Sequence, residues 1–229
     1  MSIAIITGAS SGLGACYVDA VTKLFPEIDE LWLIARREER LKKVAEKYPD
    51  KHTILIPMDM ADMNSFKTLE KKLKTNNPQI KVLINDAGMS IGSPFEDMEF
   101  ESMLKIIDLN CKGATAITKI CLPYIMYGGT ILEVSSTSAF VPNTNLIVYC
   151  SSKSYVSALS LVGNECLKGF ICSELIRLTN YIPSAITPAL NQTKPPKSTP
   201  KHNSSERLGR FFSSIRIKAF VEVHLKNLQ

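Results

Sequence analysis

Short apolar runs alternate with longer amphipathic segments along the first 170 residues of the chain. The amphipathic segments place apolar residues three or four positions apart, which is the spacing of one helix face, and the longest predict helices within 99–126 and over 148–167. The short runs are apolar throughout, as strands must be when helices cover both faces of a sheet. The pattern therefore predicts an α/β fold with a doubly wound parallel sheet. The predicted strands are 3–7, 31–35, 53–58, 81–85 and 130–135.

The regular pattern weakens after Gly169. The segment 169–179 fits either a strand or a helix, and 191–207 is rich in proline, lysine and polar residues, which is typical of a linker or a disordered segment. We therefore predict a single folded domain over 1–190 with an irregular end, followed by a basic, polar tail over 191–229.

The positive charge of the chain belongs to this tail. The formal net charge is +5, but eight basic and two acidic residues lie in 191–229, which leaves 19 basic and 20 acidic residues in 1–190. The predicted domain thus lacks the positive surface that nucleic-acid binding requires. A tail that binds nucleic acid or a membrane surface has only its charge in favour, so we expect neither partner.

Cysteine usage and the N-terminus favour a cytoplasmic protein. The six cysteines include no C-x-x-C pair, so a zinc site is not expected, and reduced thiols are the simpler interpretation. The sequence M-S-I-A-I-I-T-G enters an apolar strand directly, without the basic region of a signal peptide. No apolar run approaches the roughly 20 residues of a membrane span.

A glycine-rich stretch, T-G-A-S-S-G-L-G (7–14), joins the first predicted strand to the first helix. Glycines at such a junction let the backbone approach a phosphate closely, and the unpaired N–H groups of the helix N-terminus bind anions. Glycines that only relieve strain in the turn are the alternative. Because the stretch opens a strand–helix–strand unit, we predict dinucleotide binding. The residues expected to contact the cofactor here are Gly8, Ser10, Ser11, Gly12, Leu13 and Gly14.

The end of the second predicted strand bears on which dinucleotide binds. Proteins specific for NAD place an acidic residue there to bind the ribose 2′-hydroxyl, whereas this chain has Ala35 followed by Arg36 and Arg37. Guanidinium groups pair well with a 2′-phosphate. We therefore expect NADP(H) to be favoured, with Arg36 as a contact and NAD(H) as the alternative; arginines that merely solvate the next helix are the competing interpretation.

Four further motifs follow in a characteristic order: N-D-A-G (85–88), Asn110, V-S-S (134–136) and Y-C-S-S-K (149–153). Together with the glycine-rich stretch, they resemble the short-chain dehydrogenase/reductase family over residues 1 to about 169. The resemblance implies a Rossmann-like fold. A tyrosine and a lysine four positions apart also occur on solvated helix faces, but their four companion motifs favour a catalytic pair.

The resemblance implies a role for each catalytic residue. Tyr149 is the general acid in carbonyl reduction and the general base in alcohol oxidation, and the ammonium of Lys153 one helix turn away stabilises its phenolate form. Ser136 hydrogen-bonds and polarises the substrate oxygen, with an ordinary hydroxyl at a strand end as the alternative. Asn110 anchors a water that links Lys153 to solvent.

Further cofactor contacts are implied as well. Asn85, Ala87 and Gly88 border the adenosine, and Asp59 lies where the family contacts the adenine ring, although an aspartate at a loop start often has no special role. Asp86 departs from the family's commonest N-N-A-G form by replacing an amide with a carboxylate. The lysine and the tyrosine also contact the cofactor.

The implied function is an NADP(H)-dependent oxidoreductase that interconverts a ketone or aldehyde and an alcohol by hydride transfer. Its partner is a small carbonyl or alcohol substrate bordered by 91–98, and family members commonly form homodimers or homotetramers through the helices at 101–126 and 148–167. The alternative is a non-catalytic or damaged dinucleotide-binding relative.

That alternative arises because the resemblance ends early. The family's next strand ends in a Pro-Gly turn, which is expected near Arg177 and is missing; 183–187 is only a loose echo of it. Either the tail is a divergent cap, or the gene carries a frameshift after about residue 158. We slightly favour the frameshift, because the change in character is abrupt.

Overall fold

The computed structural model describes residues 1–141, 143–166 and 171–174. Six parallel strands form one sheet in the order β3-β2-β1-β4-β5-β6. The strands are β1 Ser2–Thr7, β2 Glu30–Ala35, β3 His52–Pro57, β4 Gln79–Asn85, β5 Ile125–Glu133 and β6 Ile171–Glu174. The helices are α1 Gly12–Leu24, α2 Glu38–Ala45, α3 Phe66–Asn76, α4 Phe100–Ile107, α5 Ala114–Cys121 and α6 Ile147–Cys166.

The sheet is buried on both faces, which explains why its strands are apolar throughout. Ala4 and Ile6 of β1 pack in one hydrophobic cluster with residues of α1 and α2, whereas Ile3 and Ile5 pack in a second cluster with residues of α3 and α5. Successive side chains of a strand point to opposite faces, so one strand supplies both clusters. The predicted doubly wound α/β fold is confirmed.

The strand order reverses between β1 and β4, the two central strands. At such a switch point the loops leave the strands in opposite directions and open a crevice at the carboxyl ends. Thr7 ends β1 and lies opposite Asn85, the last residue of β4. The sequence motifs that follow these two strands therefore meet at one edge of the sheet.

The helix predicted within 99–126 forms a continuous helical region from Phe100 to Tyr124, but it is not a single α-helix. A π-helical segment, Asp108–Gly113, separates α4 from α5, and a 3-10 turn at Leu122–Tyr124 ends the helical region. The strand predicted at 130–135 begins at Ile125. Gly128 and Gly129 and the exposed Tyr127 lie in the first half of this strand, and they obscured its start because they break the apolar pattern.

The segment 169–179, which fitted either a strand or a helix, contains strand β6. Its Ile171 pairs with Thr130 and its Glu174 with Glu133 of β5. The tail at 191–229, the weak echo at 183–187 and the turn expected near Arg177 lie outside the described residues. Among the residues that are described, no helix has the length and apolar character needed to cross a bilayer.

Helix α1 packs against the start of the glycine-rich loop through Gly14. A Cβ atom at this position would lie 2.2 Å from the carbonyl oxygen of Gly8, which is far inside van der Waals contact. The helix therefore reaches the loop only because residue 14 has no side chain.

We expect Gly14→Ala to lower the free energy of unfolding by about 1–3 kcal/mol, because backbone atoms must move to admit the methyl group. The matched control is Gly92→Ala, where a Cβ would meet nothing closer than 3.9 Å, and its effect should stay within about 0.5 kcal/mol. Urea unfolding followed by circular dichroism measures both variants. Equal effects at the two positions would contradict the packing argument.

Candidate active site

A cavity of about 390 Å³ lies at the carboxyl ends of the central strands. It is bounded by the glycine-rich loop, the end of β2, the N-D-A-G segment and the start of α6. The predicted site residues that line it are Gly8, Ser10, Ser11, Gly12, Leu13, Arg36, Asp59, Ala87, Gly88, Tyr149 and Lys153. Four other predicted site residues, Gly14, Asn85, Asn110 and Ser136, are buried and do not line it.

The N-terminus of α1 faces this cavity. Its N-cap residue, Ser11, has extended backbone angles and makes no side-chain capping bond, and the first turn contains no acidic residue. A helix start without a capping side chain presents backbone N–H groups and the positive end of the helix dipole to an anion. This cradle fits the diphosphate of a dinucleotide.

Arg36 and Arg37 lie between β2 and α2 at the rim of the cavity. Both are exposed, and within the described part of the chain neither forms an ion pair. Ala35 ends β2 beside them and offers no carboxylate. The rim is therefore a cationic position suited to a phosphate group.

Tyr149 and Lys153 lie one turn apart on α6, with the Lys153 Nζ atom 5.9 Å from the centre of the Tyr149 ring. The lysine is only 6% exposed, and its Nζ donates a 2.7 Å hydrogen bond to the Val134 carbonyl oxygen. Burial lowers the Lys153 pKa, while the nearby carboxylates of Asp86 and Glu133 act to raise it. Tyr149 and Lys153 are therefore not a solvent-exposed pair on a helix surface.

Asn110 lies in the π-helical segment, a type of irregularity often found at functional sites. Its amide nitrogen donates to the Met89 carbonyl and to Ser152 Oγ of α6, and its amide oxygen accepts from the Met89 N–H, each at 2.9 Å. The side chain thus connects the loop after β4 to helix α6. Its predicted role in holding a water stays a prediction.

Ser136 is fully buried, and its hydroxyl oxygen accepts a 3.1 Å hydrogen bond from the Ser138 N–H. Its neighbour Ser135 lines the cavity instead, and the Ser135 hydroxyl donates to the Lys153 carbonyl at 3.0 Å. The V-S-S motif therefore also anchors α6, a contact that sequence reasoning missed.

Asp59 lies in the cavity wall and accepts a 3.0 Å hydrogen bond from the Ala61 N–H. Asp62 caps the 3-10 turn before α3 by accepting from the Asn64 N–H at 2.9 Å. Cys150, the residue after Tyr149 on α6, is buried. No group of three or more metal-binding side chains occurs among residues 1–141, 143–166 and 171–174.

A buried polar network behind the cavity was not predicted. The Asn85 amide nitrogen donates to Glu133 Oε2 at 2.9 Å, Thr118 donates to Glu133 Oε1 at 2.6 Å, and Thr7 donates to the Asn85 amide oxygen at 3.1 Å. The Thr7 hydroxyl in turn accepts from the Ala87 N–H at 3.0 Å. The one available signal was a glutamate inside an otherwise apolar strand, I-L-E-V.

Burial raises the pKa of Glu133 to about 7, although the hydrogen bonds from Thr118 and Asn85 and the charge of Lys153 all act to lower it. The ordinary carboxyl value of 4.5 applies to the unfolded chain. As the pH rises, Glu133 therefore ionises first in the unfolded state. Its contribution to the free energy of unfolding decreases as the pH increases from 4.5 to about 7.

These features define a dinucleotide-binding protein with a Rossmann-like fold, in which a tyrosine–lysine pair adjoins the cofactor cavity. The profile of the family described as short chain dehydrogenase matches residues 2–197. The chain belongs to the short-chain dehydrogenase family, whose members are oxidoreductases that bind NAD or NADP. The match extends past residue 169, where the sequence resemblance was expected to end.

Individual proteins agree with this assignment. A fatty acyl-CoA reductase of Acinetobacter baylyi is 28% identical over 211 residues, which span 89% of this chain and 69% of that protein. An uncharacterised oxidoreductase of Staphylococcus epidermidis is 28% identical over 160 residues, or 69% of this chain and 68% of that protein.

Solved structures show the same fold. A short-chain dehydrogenase from Sphingobium yanoikuyae in complex with NADPH has a TM-score of 0.69 and 27% identity, covering 77% of this chain and 70% of that one. A bulky-bulky ketone specific alcohol dehydrogenase from Comamonas testosteroni has a TM-score of 0.70 at 22% identity, covering 94% and 92%. The second likeness concerns the fold alone.

We expect Glu133→Gln to change how stability depends on pH. The amide cannot ionise, so the free energy of unfolding of the variant relative to wild type should rise by about 2–3 kcal/mol from about pH 5 to about pH 8. Denaturant unfolding across this range measures the difference. The exposed Glu96→Gln is the control and should follow wild type; an E133Q profile parallel to wild type would contradict the assignment.

Proposed function

We propose that this protein is an NADP(H)-dependent oxidoreductase that interconverts a ketone or aldehyde and an alcohol, with Tyr149 as general acid and base. The observation that carries the proposal is the position of Tyr149 and the buried Lys153 in the wall of the same cavity as the uncapped helix start of α1. Proton transfer and dinucleotide binding would then occur in one enclosure.

The described residues fit the dinucleotide. The backbone N–H groups at the start of α1 would hold the diphosphate, Arg36 and Arg37 would hold the 2′-phosphate, and Lys153 would hold the nicotinamide ribose. When bound, the nicotinamide supplies or accepts the hydride.

Side chains of the protein would transfer the proton that accompanies the hydride. In reduction, the Tyr149 hydroxyl donates its proton to the substrate oxygen; in oxidation, the tyrosine oxygen accepts it back. The ammonium of Lys153 stabilises the phenolate form by its charge. We propose that Ser136 polarises the substrate oxygen and that Asn110 holds the loop at Met89 in register with α6.

A dinucleotide-binding protein without turnover is the second candidate. The observation in its favour is that Ser136 is buried away from the cavity wall, with its hydroxyl oxygen accepting from a neighbouring backbone N–H. Cofactor binding would be the same in both cases, so measured turnover separates them.

The proposal extends to the class of substrate and to the pairing of subunits. Val148, the residue before Tyr149 on α6, packs with Met98 and Ile106 in an apolar cluster, which suits a carbonyl compound with an apolar body. Exposed apolar side chains on α4 and α6, including Phe100, Leu104 and Leu161, are consistent with pairing of subunits. The homodimer or homotetramer and the cytoplasmic location stay predictions.

Tyr149→Phe tests the proposed chemistry. Because the variant loses only the hydroxyl, we expect turnover to fall by at least about 10²–10⁴-fold, with cofactor affinity within about twofold of wild type. The assay follows nicotinamide absorbance over a panel of ketones and aldehydes, beside a fluorescence titration with the cofactor.

Tyr155→Phe is the matched control, since this tyrosine lies on the same helix and its hydroxyl contacts Thr115 at 2.7 Å rather than the cavity. It should retain wild-type turnover. Normal turnover by the Tyr149 variant would refute the mechanism, and no turnover by wild type on any carbonyl would favour the second candidate.

Arg36→Ala tests the cofactor preference. Loss of a charge-assisted bond to the 2′-phosphate should weaken NADPH binding by about 10–100-fold and NADH binding by less than about twofold. Titrations of nicotinamide fluorescence give both dissociation constants. The control is Arg40→Ala, because Arg40 is an exposed arginine of α2 outside the cavity wall. Equal losses of affinity for NADPH and NADH in Arg36→Ala would show that Arg36 does not bind the 2′-phosphate.

A further inference from the structure

Asp86 lies directly behind the glycine-rich loop. Its carboxylate accepts a hydrogen bond from the backbone N–H of Gly14, and its Oδ2 atom is 3.0 Å from the position that a Cβ of Gly8 would occupy. This side chain thus bonds to the last glycine of the loop and lies close to the first. Asp86 also lines the cavity that the loop encloses. A carboxyl group therefore lies beside the backbone that would hold the diphosphate.

The groups that face Asp86 carry little compensating charge. Lys153 faces it from α6 and Tyr17 from α1. Burial, with Asp86 itself as the next cause, raises the Tyr17 pKa well above its ordinary value, so this phenol stays neutral. The lysine is shared, because Glu133 of β5 and Cys111 of the π-helical segment also interact with it. Lys153 thus interacts with two carboxyl groups, the half-buried Asp86 and the buried Glu133.

The environment of Asp86 already favours its neutral form. Burial raises the pKa of Asp86 to about 7, although the charge of Lys153 and the hydrogen bond from Gly14 act to lower it. A diphosphate bound at the start of α1 would add negative charge to the cavity that Asp86 also lines. Like charges in a site of low dielectric disfavour each other's ionised form.

We propose that dinucleotide binding at the glycine-rich loop is coupled to the uptake of one proton by Asp86, so that this carboxyl group is neutral in the complex. The inference rests on the dinucleotide binding of the proposed function. The proton comes from solvent and forms an O–H bond on the carboxyl, and no other bond changes. The neutral carboxyl keeps an acceptor oxygen for the Gly14 N–H and gains a donor, as the amide of the commoner N-N-A-G motif has.

The coupling fixes the direction of a pH effect. Below about pH 7 the carboxyl of the free protein is already protonated, so affinity for the cofactor should be constant. At higher pH each binding event must take a proton from solvent, and the dissociation constant should rise by up to about tenfold per pH unit.

Titration calorimetry at about pH 7.5 measures the proton directly. Wild type is titrated with NADPH in HEPES and in Tris, whose different ionisation enthalpies turn proton uptake into a difference in heat. We expect uptake of several tenths of a proton per site. NADH gives a parallel series without the 2′-phosphate, which itself titrates near pH 6.

Two variants assign the proton to its residue. Asp86→Asn removes the ionisable group and keeps an oxygen for Gly14, so uptake should vanish. Glu133→Gln removes the other carboxyl group that interacts with Lys153, and uptake should persist. If D86N does not fold, the infrared difference spectrum of E133Q on adding NADPH must still gain the band of a protonated carboxyl.

The outcomes separate this inference from the proposed function. Saturable NADPH binding by wild type without proton uptake would overturn the inference alone. Uptake unchanged in D86N, or lost in E133Q but kept in D86N, would also overturn it. No binding of either cofactor to folded wild type would overturn the proposed function together with the inference.

Discussion

Asn85 lies where the two central strands end, and its side chain must satisfy its hydrogen bonds inside an apolar sheet. It does so by bonding to groups from three other elements: Thr7 of β1, Glu133 of β5 and the carbonyl of Ala114 in α5. A buried amide left unpaired would destabilise the fold by about 1–3 kcal/mol. The bonds of Asn85 therefore hold β1, β4 and β5 in register at the ends that carry the loops of the cavity. The Thr7 hydroxyl extends this network to the loop after β4, because it also accepts from the Ala87 N–H.

The same arrangement places Lys153 near the carboxyl groups of Asp86 and Glu133. Helix α6 is held at its middle by Ser135, which donates to the Lys153 carbonyl and is 2.7 Å from the Ser157 hydroxyl, and by the contact of Asn110 with Ser152. These bonds leave Lys153 little freedom, so its ammonium points inward to the Val134 carbonyl. The groups that stabilise the fold therefore also determine the charge around the proposed proton-transfer site. A substitution among them would change both the stability of the fold and the proposed proton transfer.

The sequence predicted those features that local patterns determine. Strands buried on both faces are continuous apolar runs, and the glycine-rich loop and the tyrosine–lysine pair are each contained within eight residues, so all could be located. The start of β5 could not, because Tyr127 and Gly128 interrupt its pattern. Nor could the link from Asn85 to Glu133, since the two residues are 48 positions apart and only strand pairing brings them together.

Affinity for the proposed cofactor would depend on charged groups at two ends of the cavity. The groups at one end are more exposed to solvent than those at the other. Arg36 and Arg37 lie at the rim in contact with solvent, so their attraction for a phosphate is screened by salt within about 10 Å. Asp86 and Lys153 lie inward, where screening is weak and protonation governs the charge instead. Ionic strength should therefore act mainly on the choice between NADPH and NADH, whereas pH should act on the affinity for both. Above about pH 7 the 2′-phosphate is already ionised, so the cofactor preference should stay constant there while the affinity for both cofactors varies with pH.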